Sequence, residues 1–336
     1  MARVAINGMG RIGRAALKIV MDTPELELVA VNDIAALENI AYLIKYDTVY
    51  GPYKKSTDVR DGKLVVDGQK IAYLSERDPA NLPWRDLNVD LVFESTGIFT
   101  KYEDAHKHID AGATYVIISG PSSSVEVPTI VYGVNAVGEQ QDVISTASCT
   151  TNNITPVMEI MHRHFGVAKA VLMTIHAYTA TQELVDAPGG KKDMRRGRAA
   201  AANIVPASTG AAKATTKALP EHKGNFDGTS LRVPVPVGSL SDTTLVLKRP
   251  TTIEEINQVF RDEAATDRYK EVIRVNEDEI VSSDIVGDPY AAIIDLTQTM
   301  VVAGDLVKVM SWYDNEWGYT NQMVRQAKLV LLPTQA

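Results

Sequence analysis

Short apolar runs alternate with amphipathic stretches over the first third of the chain. Residues 3–6 read as a strand, and apolar positions recur at helical spacing over 12–21. The pattern repeats with a strand over 26–32 and a helix over 39–45, and then with the apolar runs 91–94 and 115–119 on either side of a polar helical stretch, 102–111. Such alternation predicts a parallel sheet with helices on both faces. Past Ser145 the texture changes. A long helix is predicted over 148–164, interrupted in character by Pro156, which can kink it. Strands follow over 171–175, 231–235, 243–247 and 305–312, which suggests a second domain of mixed or antiparallel sheet, and 318–332 is again helical. The stretch 179–202 is rich in Gly, Lys and Arg and has little periodicity; a loop that long inside a compact protein is usually functional.

Composition adds bounds rather than an identity. The 336 residues are 45% hydrophobic and 23% charged, ordinary for a globular protein with room for two domains. The net charge of -8 gives no reason to expect binding to nucleic acid or to an acidic membrane. An anionic substrate would therefore need positive charge concentrated locally. One cysteine excludes an internal disulfide framework and fits a reducing, cytoplasmic compartment, although an extracellular protein without disulfides would look the same. The apolar run at Val4 breaks at Asn7-Gly8, too short for a signal peptide, and no stretch approaches the roughly 18 apolar residues of a membrane span. No metal site is expected.

The first chemical signal is Gly8-Met9-Gly10-Arg11-Ile12-Gly13, a G-x-G-x-x-G directly after a strand and opening a helix. Backbone N–H groups and the helix dipole at such a turn can receive a pyrophosphate. Asp33, at the end of the second predicted strand, can accept hydrogen bonds from the adenosine ribose and would repel a 2′-phosphate, which favours NAD over NADP. The alternative is a glycine-rich turn in an unrelated α/β protein with a surface aspartate.

The second signal is Cys149, just past Ser148, a candidate N-cap at the start of the long helix. Backbone donors and the dipole there favour thiolate over thiol and make Cys149 a candidate nucleophile. A basic partner is needed, and His176 closes the strand 171–175, where side chains reach into a cleft. From sequence alone a lone cysteine is as readily an inert core residue and a lone histidine a structural one. His106, His108, His162, His164 and His222 fall on polar or helical stretches and are expected to face solvent.

The runs 7–14, 145–152, 174–182, 208–213 and 312–319 resemble, in order and spacing from end to end, the defining motifs of the glyceraldehyde-3-phosphate dehydrogenase family. The resemblance implies a Rossmann-type doubly wound NAD-binding domain over 1–148, completed by the C-terminal helix 315–336. An α+β catalytic domain over 149–314, with a mixed, largely antiparallel sheet, would follow. It implies oxidation of D-glyceraldehyde 3-phosphate to 1,3-bisphosphoglycerate in glycolysis and gluconeogenesis, with NAD as cofactor. Cys149 would form a hemithioacetal and then a thioester that inorganic phosphate resolves, with His176 as the base.

The same resemblance puts Thr179 and Arg232 with the substrate phosphate. It puts Ser148, Thr150, Arg195, Thr209 and Gly210 with inorganic phosphate, although Arg195, Arg196 and Arg198 are crowded together and leave open which of them serves. Gly8, Gly10, Arg11, Ile12 and Gly13 would hold the pyrophosphate turn, Asp33 the ribose, Arg77 the adenine, and Ser119 and Asn315 the nicotinamide. Asp186 and Pro188 resemble the NAD-using branch, in which this loop approaches the adenosine end of a neighbouring subunit, and so imply a homotetramer. Position 153 is Asn where many members carry a second cysteine, which removes a short-range disulfide with Cys149. Met9 and Gly120 also depart from the common pattern without removing a proposed side-chain contact. Three rivals stay in view, the first two being erythrose-4-phosphate dehydrogenase, disfavoured by the stretch ending in Thr179, and a binding or scaffold protein on the same fold, whose mark would be a lost catalytic residue. Use of NADP is the third, opposed by Asp33.

Overall fold

The computed structural model describes residues 1–138, 141–189 and 193–332. The chain forms two compact units. The first comprises Met1–Tyr132, Ala136–Ala147 and Thr320–Ala336, the second Gly133–Asn135 and Ser148–Tyr319.

In the first unit, β1 (Ala2–Asn7), α1 (Arg11–Val20), β2 (Leu26–Asn32) and α2 (Leu37–Lys45) follow the predicted alternation. Next come three strands the periodicity reading missed, β3 (Thr57–Arg60), β4 (Lys63–Val66) and β5 (Gln69–Leu74). Their signal lies in the turns. Asp61-Gly62 and Asp67-Gly68 all have positive φ, as two-residue hairpin turns require, and Asp-Gly is a strong local mark of such a hairpin. Then come β6 (Leu91–Glu94), the short helices α3 (Tyr102–Ala105) and α4 (Lys107–Asp110), β7 (Tyr115–Ile118) and β8 (Val143–Ser145). The single predicted helix over 102–111 is thus divided at His106.

The sheet order is β3-β4-β5-β2-β1-β6-β7-β8, parallel from β5 to β8 and antiparallel through the β3-β4-β5 meander. Val4, Ala5 and Ile6 are wholly buried, as a central parallel strand covered on both faces should be. With β2 on one side of β1 and β6 on the other, the chain reverses its direction of winding at β1, and a ligand crevice is expected at the carboxyl ends of these strands.

The second unit opens with α5 (Cys149–Phe165), whose N-cap Ser148 accepts from the Thr151 amide and which continues through Pro156. Then come β9 (Val167–Ala177), β10 (Val205–Ser208), α6 (Ala211–Ala218), β11 (Phe226–Val233), β12 (Ser239–Leu247) and α7 (Ile253–Ala264). The strands β13 (Ile273–Asn276), β14 (Ala292–Asp295), β15 (Met300–Val302) and β16 (Leu306–Tyr313) lead to α8 (Trp317–Leu331). The order β10-β11-β9-β12-β16-β14-β13, with β15 on β16, is mixed and mainly antiparallel. β12 and β16 alternate buried with half-buried residues, so one sheet face carries the core, and α5 packs on it.

Asn153, in the place of the family's frequent second cysteine, ties α5 to this sheet. It donates to the Ala291 and Trp312 carbonyls at 3.2 and 3.3 Å and accepts from Ser311 Oγ at 2.8 Å.

Two histidines expected at the surface are buried. His108 is enclosed because Trp84 Nε1 and the Glu94 carboxylate take both its ring nitrogens. His222 ends a short helical turn, Pro220–His222, and packs edge-on to His162 at 4.7 Å between ring centroids, and burial pushes its pKa below the usual imidazole range.

Candidate active site

The crevice expected at the winding reversal is present in the first unit. It is a cleft of about 330 Å³ lined by Gly8, Gly10, Asp33, Arg77 and Thr96 among others. Each glycine of the turn does separate work. Gly8 has φ +94, and a Cβ there would lie 2.7 Å from the Thr96 amide nitrogen, so the turn can approach the chain after β6 only without a side chain. A Cβ on Gly13 would lie 1.9 Å from the Gly8 carbonyl oxygen, which makes Gly13 the packing glycine between helix and turn. Gly10 meets open space, and as the N-cap of α1 it leaves the first-turn N–H groups of the helix facing the cleft.

Asp33 accepts from the Met9 amide at 2.7 Å and the Ala35 amide at 2.9 Å, so it stiffens the glycine-rich turn as well as lining the cleft. The Arg11 guanidinium turns to Asp47 at 2.5 Å and stacks over Tyr50, which leaves backbone groups of Arg11 and Ile12 to meet a ligand. Ser119 closes β7, its amide donating to the Glu94 carbonyl. These residues fit a dinucleotide: a turn that tolerates no Cβ, an open helix N-terminus and a carboxylate at the end of β2.

In the second unit the N-terminus of α5 and the end of β9 converge. Cys149 Sγ lies 3.4 Å from His176 Nε2. The parallel register of β11 with β9 pairs Arg232 with His176, and Arg232 Nη1 reaches both His176 Nδ1 at 2.5 Å and the Ala177 carbonyl at 2.8 Å. Nδ1 also lies 2.7 Å from that carbonyl. Both contacts of Nδ1 cannot be hydrogen bonds at once, since facing Arg232 it must accept and facing the carbonyl it must donate. The imidazole therefore stands between two tautomers, and only the one with Nδ1–H directed at Ala177 leaves Nε2 able to take a proton from the thiol.

Burial, and then the Arg232 charge, push the His176 pKa down to about 3. Burial likewise raises the Cys149 thiol, opposed by Arg232 and by hydrogen bonds from Thr150. Desolvation thus works against the thiolate, while Arg232, the Thr150 hydrogen bonds and the helix N-terminus work for it.

Around this pair the structure gathers hydroxyls and cations. Thr150 Oγ1 and Thr174 Oγ1 both bond the buried Tyr313 hydroxyl, at 2.9 and 2.8 Å, and the Tyr313 ring stands edge-on to His176. Sequence reasoning missed a role for Tyr313, although it lies in the 312–319 run, at the end of an alternating strand. Thr179 Oγ1 bonds Thr181 Oγ1 at 2.9 Å, which in turn accepts from Arg196 at 3.2 Å. Arg196 is half-buried and close enough to Arg232 to depress its pKa, after the larger effect of burial. Arg195 is 60% exposed and tied to Asp193, and Arg198 is tied to Asp186. Of the three crowded arginines, Arg196 is the one whose charge Arg232 feels, while Arg195 keeps its ion pair with Asp193.

Thr209 and Gly210 precede α6, with Thr209 Oγ1 accepting from the Ala211 amide, and α6 packs on α5. Asn315 Oδ1 accepts from the Gly238 amide at 3.1 Å and Ser239 Oγ at 3.0 Å. These donors fix the amide orientation, with the Asn315 oxygen toward Gly238 and Ser239. Ser239 Oγ also accepts from the Ala177 amide, beside His176, another link that the sequence did not reveal.

The family described as Glyceraldehyde 3-phosphate dehydrogenase, C-terminal domain, matches residues 148–315, and its NAD binding domain matches residues 2–102. The chain belongs to the glyceraldehyde-3-phosphate dehydrogenase family. It is accordingly an NAD-dependent enzyme of that family. It is 48% identical over 326 residues, 96% of each chain, to glyceraldehyde-3-phosphate dehydrogenase 2 of Streptomyces avermitilis. To the glyceraldehyde-3-phosphate dehydrogenase of Thermotoga maritima it is 46% identical over 335 residues, 98% of this chain and 99% of that one. The corresponding enzyme of Clostridium pasteurianum is 46% identical over 330 residues, 97% of each. In the glyceraldehyde-3-phosphate dehydrogenase family frame, the cleft of the first unit falls in the NAD binding domain and the Cys149–His176 pair in the C-terminal domain.

Proposed function

We propose that this chain converts D-glyceraldehyde 3-phosphate, NAD and inorganic phosphate to 1,3-bisphosphoglycerate through a thioester on Cys149, in glycolysis and gluconeogenesis. The observation that carries the reading is the 3.4 Å approach of Cys149 Sγ to His176 Nε2 beside Arg232. Sγ attacks the aldehyde carbon as its proton passes to Nε2, and the carbonyl oxygen is protonated to give the hemithioacetal. NAD, when bound, accepts the hydride released by that carbon. His176 takes the hydroxyl proton as the C=O bond re-forms, leaving the thioester. A phosphate oxygen then attacks the thioester carbon, the C–S bond breaks, and Cys149 leaves as thiolate.

Arg232 and Thr179 fit the substrate phosphate. Arg196, with Ser148, Thr150, Thr209 and Gly210, fits the attacking phosphate, since planar guanidinium and hydroxyl donors suit its oxygens. Gly8, Gly10, Arg11, Ile12, Gly13, Asp33 and Arg77 would hold the dinucleotide, with Ser119 and Asn315 for its nicotinamide.

A homotetramer is the assembly we infer. Its support is an apolar cluster on the outer sheet face: Ile175, Leu240 and Trp312 lie in one cross-strand row, Met173 and Met310 flank Asp242 in the next, all half-exposed, and Val171 is 60% exposed. The loop carrying Asp186 and Pro188 also exposes Leu184 and Val185, although Asp186 itself caps the Ala199 amide. Sedimentation velocity reads this directly, and a monomer at micromolar concentration would end it. A free catalytic thiol suits a reducing compartment such as the cytoplasm.

The mechanism is tested by single-turnover stopped flow, following NADH absorbance with and without phosphate. A near-stoichiometric burst, with turnover only when phosphate is added and neither in Cys149→Ser, is the expected result. Phosphate-independent turnover would point to hydrolysis of the acyl enzyme instead.

A further inference from the structure

We infer that Glu94 is the positioning residue of the dinucleotide cleft, acting through Thr96 and Asn7, with its charge fixed from behind by His108 and Trp84. The inference rests on the NAD reading of that cleft. Glu94 ends β6 and is 1% exposed, yet it plays no part in the chemistry proposed above. Its Oε1 accepts from the Thr96 amide at 2.8 Å and the Thr96 hydroxyl at 2.5 Å, and its Oε2 from Asn7 Nδ2 at 2.6 Å and His108 Nε2 at 3.0 Å.

Obligate donors set the proton pattern at each margin of this network. Trp84 Nε1–H can only donate, and it donates to His108 Nδ1 at 2.9 Å, so the remaining proton of a neutral imidazole sits on Nε2 and points at Glu94. At the other margin the Glu76 amide donates to Asn32 Oδ1, so Asn32 Nδ2 donates to Asn7 Oδ1 at 2.7 Å, and Asn7 must turn its own Nδ2 to Glu94. The Ile98 amide donates to Thr96 Oγ1, which directs the Thr96 hydroxyl proton to Glu94 as well. Glu94 thus meets four donors and no acceptor, an arrangement only a carboxylate satisfies.

The consequence falls on the cleft. The network spans the carboxyl ends of β1, β2 and β6, and Asn7, Asn32 and Thr96 themselves line the cavity. Thr96, which Glu94 holds by two bonds, is the group that a Cβ on Gly8 would strike at 2.7 Å. Glu94 therefore sets the separation between the glycine-rich turn and the segment after β6, the two walls of the dinucleotide site. A glutamine at 94 brings an NH₂ against donors in either amide orientation, and neither Asn7 nor His108 can reverse to receive it.

The test is calorimetric titration of NAD into the apo protein, with apo melting temperatures and steady-state kinetics, for wild type, Glu94→Gln, Thr96→Val and Asp33→Ala. Glu94→Gln is expected to weaken NAD binding about tenfold or more and Thr96→Val about threefold or more. The KM for NAD should rise, and kcat at saturating NAD should stay within about twofold. A lower melting temperature with wild-type NAD affinity, in a protein still folded at the assay temperature, would reduce Glu94 to a stabiliser of the sheet and overturn the inference. If Glu94→Gln does not fold, Thr96→Val carries the same test, because it removes the hydroxyl bond and leaves the other three. Unchanged binding in Asp33→Ala as well would sink the cleft reading itself and not only the role of Glu94.

Discussion

The polar cluster of the first unit and that of the second are both buried, but they are built on opposite principles. Around Glu94 four donors converge on the carboxylate, and obligate donors dictate the neighbouring tautomer and amide orientations, so the cluster has one favoured arrangement. Around His176 the assignments conflict. Nδ1 faces a guanidinium donor and a carbonyl acceptor together, burial raises the Cys149 thiol, and Arg232 stabilises the thiolate while destabilising the imidazolium. A satisfied network holds a shape, whereas one whose protons have two comparable places can move them. Reaction chemistry needs the second kind and cofactor positioning the first.

The widest gap between the clusters should appear on replacing His176 with Asn, which keeps a side chain of similar width but removes the base. Single-turnover acylation should fall roughly 10²- to 10⁴-fold with NAD affinity unchanged. A change below tenfold would mean that the thiol loses its proton elsewhere. Next in size is Arg196→Ala. Loss of a charged donor to phosphate is expected to raise the KM for inorganic phosphate about 10- to 100-fold, while Arg195→Ala stays near wild type. The reverse ranking in phosphate-dependence kinetics would return the role to Arg195.

The conflict at His176 also carries a stability signature. A histidine near 6.5 when unfolded and about 3 when folded contributes stability that is fully present above the unfolded value and lost as pH falls toward the folded one. Between pH 7 and 5 it should remove about 2 kcal/mol of the second unit's stability, and His176→Asn should flatten the denaturant-measured slope by about that amount. Smallest is the effect of Arg232→Ala on the thiol. Removing the cation should move the pH midpoint of iodoacetamide alkylation of the apo protein upward, and a downward shift would contradict the electrostatic assignment.

Much of the first unit was legible because its information is local. A strand, a glycine-rich turn and a helix are consecutive in sequence, and a parallel sheet with helices on both faces followed from their alternation. The missed β3–β5 meander was legible too, in its two Asp-Gly turns, to a reading that weighs turn chemistry as heavily as periodicity. His108 and His222 were misjudged because a polar stretch gives the average environment of its residues, and one inward-facing position escapes that average.

Sequence by itself determined the strand–turn–helix of the glycine-rich site, the candidate nucleophile at a helix N-terminus, and the order of motifs that marks the family. Tertiary structure alone decided which groups share a proton. The β9–β11 register set Arg232 beside His176, the Arg196 guanidinium on Thr181 brought a second positive charge near it, and desolvation came to oppose the Cys149 thiolate. The physical reason is range: backbone conformation and capping are fixed by residues a few positions apart, while burial and the pairing of charges depend on chain segments that only folding brings together.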